Sequence, residues 1–244
     1  MQPVNQPKRT ATTVGLLFIL ATVAGVISVA LLGSTLDTPV ALENVAAAET
    51  DIVVAALFSL LLAAAVIAIP VLLFPILRLQ SDRVARGYFA FRILEGVVIV
   101  LGAISLLTLV TVSQESAEGA SGFWAVGAAL VAAHDWTDVV GTQLVFGVTA
   151  LILNLSMFRS LLVPRFISIW GIVGAALVVF LSLAIILFDL DPFSTTSIIL
   201  FLPIAVQEMV MAIWFIVKGF DLSAMTAENS TTDRSQPPVT SESR

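Results

Sequence analysis

Few residues in this chain are equipped for chemistry, and they sit in apolar surroundings. The stretch "FRILEG" (91–96) places Arg92 and Glu95 three residues apart, on one face of a helix. Tyr88, four residues before Arg92, shares that face. The stretch "AVQEMV" (205–210) sets Gln207 and Glu208 inside another apolar run. The stretch "AAHDWTDVVG" (132–141) gathers the only histidine, His134, with Asp135, Trp136 and Asp138. Carboxylates beside a guanidinium suit ion pairing, the binding of an ion or small molecule, or acid–base work. One histidine and two aspartates have the ligand types of a metal site, but their spacing does not build one, so no metal is expected.

Composition decides what must position these groups. Of 244 residues, 59% are hydrophobic and 11% charged, against roughly 25% charged in an average soluble domain. That balance is the signature of an integral membrane protein. The absence of cysteine removes disulfides, thiolate nucleophiles and cysteine metal sites. A single histidine removes zinc sites built from two or three. No basic patch of the nucleic-acid-binding kind is present. No cofactor is implied, and the evident partner is the lipid bilayer.

A helix that crosses the hydrocarbon needs about 20 apolar residues. Gaps between charges predict six such helices, over 13–33, 52–77, 87–111, 138–158, 166–188 and 196–218. The expected architecture is all-α: a polytopic bundle of six transmembrane helices with a short interfacial helix on the outer side. The first run follows Lys8 and Arg9, but it is longer than the 7–15 residues of a signal-peptide core and is read as a retained helix. Residues 1–12 form a cytoplasmic N-terminus, 13–220 the transmembrane domain, and 221–244, rich in Ser, Thr, Glu and Pro, a disordered cytoplasmic tail. Residues 34–50 read as an outer loop with a short helix after Pro39.

Lys and Arg placement sets the orientation. Lys8, Arg9, Arg78, Arg83, Arg86, Arg159, Arg165 and Lys218 all fall in alternate loops or at the ends, which places them on one side of the membrane. The other loops hold Asp37, Glu43, Glu49, Asp51, Glu115, Glu118, Asp189 and Asp191, with no Lys or Arg. Both termini are therefore expected in the cytoplasm.

Depth follows from the helical rise. Counting from Arg86, Arg92 lies about 9 Å and Glu95 about 13 Å into the membrane, and Glu208 lies about 15 Å from Lys218. The three are expected to meet near the midplane, a guanidinium between two carboxylates. Two readings stand side by side: structural glue between helices, with Arg92 reaching for the inner surface, or a working site. Pro203, five residues before Glu208, frees a backbone carbonyl, as do Pro70 and Pro75 in the second span.

A continuous helix over 123–158 would be about 54 Å long, well beyond the ~30 Å of the hydrocarbon. A bend near Gly141 or earlier is expected, with 123–133 as the interfacial helix. Trp124 and Trp136 suit the headgroup level. Asp135 reads as a helix cap; alternatively His134 and Asp138 line a polar mouth above the Arg92 layer.

The segments "FPILRLQSDRVARGYFAFRILEG", "ALVAAHDWTDVVG", "RSLLVPRFISIWGIVG" and "QEMVMAIWFIVKGF" resemble a family of bacterial multi-span proteins, domain of unknown function 4386. The resemblance covers about residues 10 to 220. It implies a bacterial plasma-membrane protein and no particular activity. It also implies that Arg92, Glu95, His134, Asp135, Trp136, Glu208 and Lys218 are the family's characteristic positions.

Three functions compete. A binding or transport-like bundle for a small molecule or ion fits the charged pair, the proline-broken span and the lack of a nucleophile, and six helices without a repeat favour a homo-oligomer for transport. An intramembrane enzyme acting on lipid would rest on Glu95, Glu208, His134 and Asp135. A non-catalytic scaffold or sensor subunit needs no site. Catalysis has the weakest support, since the commonest designs are missing.

Overall fold

A computed structural model describes residues 6–33, 35–36, 42–117, 122–192 and 194–221. The elements are α1 (Gln6–Leu32), α2 (Leu42–Ala47), α3 (Glu49–Gln80), α4 (Asp82–Ala117), α5 (Trp124–Thr137), a π-helical segment (Asp138–Val145), α6 (Phe146–Ser160), α7 (Arg165–Phe188) and α8 (Thr195–Val217). No strand occurs among the described residues. Six helical stretches are long and apolar enough to cross a membrane, the fourth running from Trp124 to Ser160. This is the expected fold class: a bundle of six long helices accompanied by shorter ones. The short helix expected after Pro39 is α2. The expected tail over 222–244 lies outside the described residues.

The helices close into a ring. α4 packs on α3, α3 on α1, α1 on α8, α8 on α7, α7 on α6, and α6 returns to α4. In that order α8 stands opposite α4. The outer face is apolar, with Phe180 70% and Leu187 72% exposed. Apolar residues outside and polar residues within is the arrangement that hydrocarbon selects.

Both ends are tied. Asp221 N–H donates to Leu162 O at 3.3 Å, and Ser156 Oγ donates to Gln80 Oε1. The α3–α4 turn, the α6–α7 turn and the end of α8 therefore share one end of the bundle. The start of α1 joins them, since a Cβ built on Gly219 would lie 3.8 Å from Lys8 Cγ. Arg78 and Arg86 pair with Asp82 at the same end. At the other end Gln114 Nε2 donates to Glu49 Oε1 at 2.8 Å. The cationic loops thus fall together in space as well as in sequence.

The long fourth stretch contains a feature that the sequence does not show. Helical backbone continues through Thr137 and Asp138 and again through Val145 and Phe146. At Gly141, where the bend is expected, lies the π segment, in which Phe146 N–H reaches back five residues to Gly141 O. Gly141 permits this packing: a Cβ there would lie 2.7 Å from Val98 Cγ1. Because the helix runs through, Asp135 sits inside α5 and caps nothing. α5 packs along the far part of α4, which at 36 residues is long enough to accompany it.

Candidate polar site at the centre of the bundle

The ring's centre is built around Arg92. Its position on α4 follows from the helical period. Tyr88, Arg92 and Glu95 occupy successive turns of the buried face, while Phe91 and Leu94 between them are exposed. Arg92 and Glu95 are each 2% exposed and Tyr88 is fully buried. The guanidinium uses its donors in three directions. Nε donates to Tyr88 Oη at 3.2 Å. Nη1 donates to Glu95 Oε1 at 3.0 Å. Nη2 faces Glu208 Oε1 on α8 at 3.7 Å, an ion pair beyond hydrogen-bond length.

Aromatic rings complete the enclosure. The guanidinium carbon lies 5.7 Å from the Phe18 ring of α1, 5.6 Å from Tyr88 and 5.7 Å from Phe146 of α6. These are cation–π distances, and such contacts strengthen when desolvated. Glu95 is held on its other oxygen: Thr149 Oγ1 of α6 donates to Oε2 at 3.1 Å. One arginine thus contacts groups from α1, α4, α6 and α8.

The layer holds one positive and two negative groups when all are ionised. It also keeps one donor in reserve, because Arg92 Nη2 has no hydrogen-bond acceptor among the described residues. Glu208 is the least enclosed member, with 12% of its side chain exposed. A donor and a carboxylate oxygen 3.7 Å apart, the latter on the most accessible residue of the layer, can be drawn apart by a ligand that hydrogen-bonds to both or can close on each other.

Gln207, the neighbour of Glu208, turns elsewhere. It is fully buried, and its Nε2 donates to Asn154 Oδ1 at 3.0 Å and to Ile167 O at 3.2 Å. Asn154 Nδ2 in turn donates to Ala150 O at 2.9 Å. Space for this amide pair comes from Gly171, where a Cβ would lie 2.1 Å from Asn154 Oδ1. The amide pair fixes α8 against α6 one residue before Glu208, so it sets the register in which Glu208 faces Arg92.

The His134–Asp138 group lies apart from the layer. His134, Asp135 and Asp138 are half-buried, and Trp136 is 48% exposed. Among the described residues no group of three His, Cys, Asp or Glu side chains is arranged for a metal. Gln143 Nε2 donates to Asp138 Oδ2 at 3.4 Å.

Residues 13–219 match the family described as a domain of unknown function, DUF4386. The chain belongs to that family. The DUF4386 region takes in all six long helices apart from the start of α1, and with them every residue of the central layer. Neither a curated protein nor a solved structure matches the chain.

Thr149 and Asn154 were not anticipated from the sequence of this DUF4386 chain. Neutral polar residues are frequent in membrane helices, and their partners Glu95 and Gln207 lie 54 and 53 residues away. Both do fall in the long fourth span at the depth of the charged residues, which is the signal that points to them.

Proposed function

We propose that this protein is a multi-pass protein of the bacterial plasma membrane, with both termini in the cytoplasm, that binds and passes a small molecule or ion through the Arg92–Glu95–Glu208 layer. The carrying observation is the unequal use of the guanidinium. Two of its nitrogens are engaged within hydrogen-bond length, while the third stands 3.7 Å from the most accessible carboxylate. Pure glue would gain most from closing that contact. The excess carboxylate favours a cation, a proton or a ligand with a donor group. The orientation is supported by the cationic loops sharing one end of the bundle.

The test is native mass spectrometry of the full chain purified from its own membrane in mild detergent. A bound small molecule or ion should accompany the parent and be lost from folded Glu208→Gln and Arg92→Lys. Equal occupancy in parent and variants removes the layer as the site. Absence of any bound species in all three supports a scaffold.

A further inference from the structure

The two carboxylates of the central layer are held unequally. Glu95 accepts from Arg92 Nη1 at 3.0 Å on one oxygen and from Thr149 Oγ1 at 3.1 Å on the other. Donors on both oxygens are what an ionised carboxylate requires. Glu208 accepts no hydrogen bond from the described residues. Its polar contact is the ion pair with Arg92 Nη2 at 3.7 Å, too long for a hydrogen bond. Nη2 likewise finds no acceptor.

The surroundings of Glu208 supply no second cation. The helices packed on α8 are α1 and α7. α1 carries no titratable side chain after Arg9, and α7 none after Arg165, both at the cationic end. At the layer α1 presents Phe18, and α6 presents Phe146 and Thr149. α4 presents Tyr88, Arg92 and Glu95. One guanidinium therefore serves two carboxylates, and full ionisation leaves one negative charge in excess. Charge in excess within hydrocarbon is expensive, and a single proton removes it.

The hydrogen bonds decide which carboxylate takes that proton. On Glu95 it would displace a donor already bound to one oxygen or the other. On Glu208 it displaces none. Access points the same way, since the Glu208 side chain is 12% exposed and that of Glu95 only 3%. Two carboxylates in one site, placed in unlike surroundings, divide their roles in this manner.

We propose that Glu208 is the proton-binding site of the layer and exchanges H⁺ with water, while Glu95 stays the ionised partner of Arg92. The proton adds to a carboxylate oxygen of Glu208 and returns to water on release, so the O–H bond there is the one that forms and breaks. With the proton on, Glu208 is neutral and Arg92 pairs with Glu95 alone. With it off, Glu208 is drawn to Nη2 or to a cation. A cation entering the layer therefore displaces the proton, and the two bindings are linked reciprocally. That linkage rests on the layer being the binding site proposed above, whereas the proton on Glu208 does not.

The experiment is infrared spectroscopy of the full chain in dodecyl maltoside, a detergent with no carbonyl group. Exposed carboxyl groups are ionised at neutral pH and give no acid C=O band. The parent is expected to show a neutral carboxylic-acid C=O band at neutral pH, moved to lower frequency in D₂O because the proton exchanges. The band should be lost completely in Glu208→Gln, shifted but kept in Glu208→Asp, and unchanged in Asp135→Asn and Asp138→Asn, each taken as a monodisperse, helical preparation. No acid band in the parent, a band unmoved by D₂O, or a band that persists in Glu208→Gln or stays in place in Glu208→Asp would each overturn the assignment. The band needs no bound molecule, and native mass spectrometry does not register the acid proton. Failure of this test is therefore distinct from failure of the layer as a ligand site.

Discussion

Arg92 and Glu208 stand on helices that face each other across the six-helix ring, with Nη2 and Oε1 3.7 Å apart. Glu95, one turn along α4, takes the shorter contact at 3.0 Å. The same guanidinium therefore has one closed and one open partner. That asymmetry orders the expected effects of substitution.

Arg92→Leu removes the only positive charge between Glu95 and Glu208. Losing one member of a buried ion pair costs about 3–5 kcal/mol, so a marked fall in the apparent melting temperature in detergent is expected. Glu208→Gln removes the longer contact and leaves the Arg92–Glu95 pair in place, so it should cost only about 1 kcal/mol. Differential scanning fluorimetry of both variants checks the order. A Glu208→Gln loss equal to that of Arg92→Leu would show that the open contact carries as much as the closed one.

Gly171→Ala places a methyl where Asn154 now sits. Overpacking of this kind costs about 1–3 kcal/mol. Asn154→Ala alone gives up the amide pair with Gln207, about 1 kcal/mol. In combination the new methyl has room, so the double variant should be more stable than the sum of the singles predicts, by about 0.5–3 kcal/mol. Strict additivity in melting measurements would mean that Asn154 and Gly171 do not share the space.

Much of this architecture is legible in the sequence because hydrocarbon imposes strong rules. Charge gaps locate the spans, since a charge at mid-membrane is expensive. Arg92 and Glu95 are three residues apart, so helix geometry alone brings them together. Glu208 is reached by counting helical rise from Lys218, a one-dimensional argument that works because the helices run across the same slab. Around Thr149, Asn154 and Gln207 that reasoning stops. Depth places them at one level, but only the order of helices round the ring decides that Gln207 turns to Asn154 while Glu208 turns to Arg92. The π segment is hidden for a different reason. An extra backbone step alters hydrogen bonding without changing composition, and the sole trace is a helical run too long for the membrane, which reads equally well as a bend.

The cationic end should face the cytoplasm. Reporter fusions after residue 80, after residue 162 and at the C-terminus are expected to show cytoplasmic activity. Positions 80 and 162 belong to the same end of the bundle as residue 221, so all three must agree. An outward report from position 162 would contradict both the orientation and the arrangement of α6 and α7.

The most direct measurement is an experimental structure of the full chain purified from its own membrane and held in a lipid nanodisc, at a resolution that separates side-chain contacts. The account predicts Arg92 inside the ring, hydrogen-bonded to Tyr88 and Glu95, with density that is not protein within hydrogen-bond distance of both Nη2 and Glu208. Glu208 closed directly on Nη2 with nothing between them, or Arg92 turned out toward lipid, would contradict it.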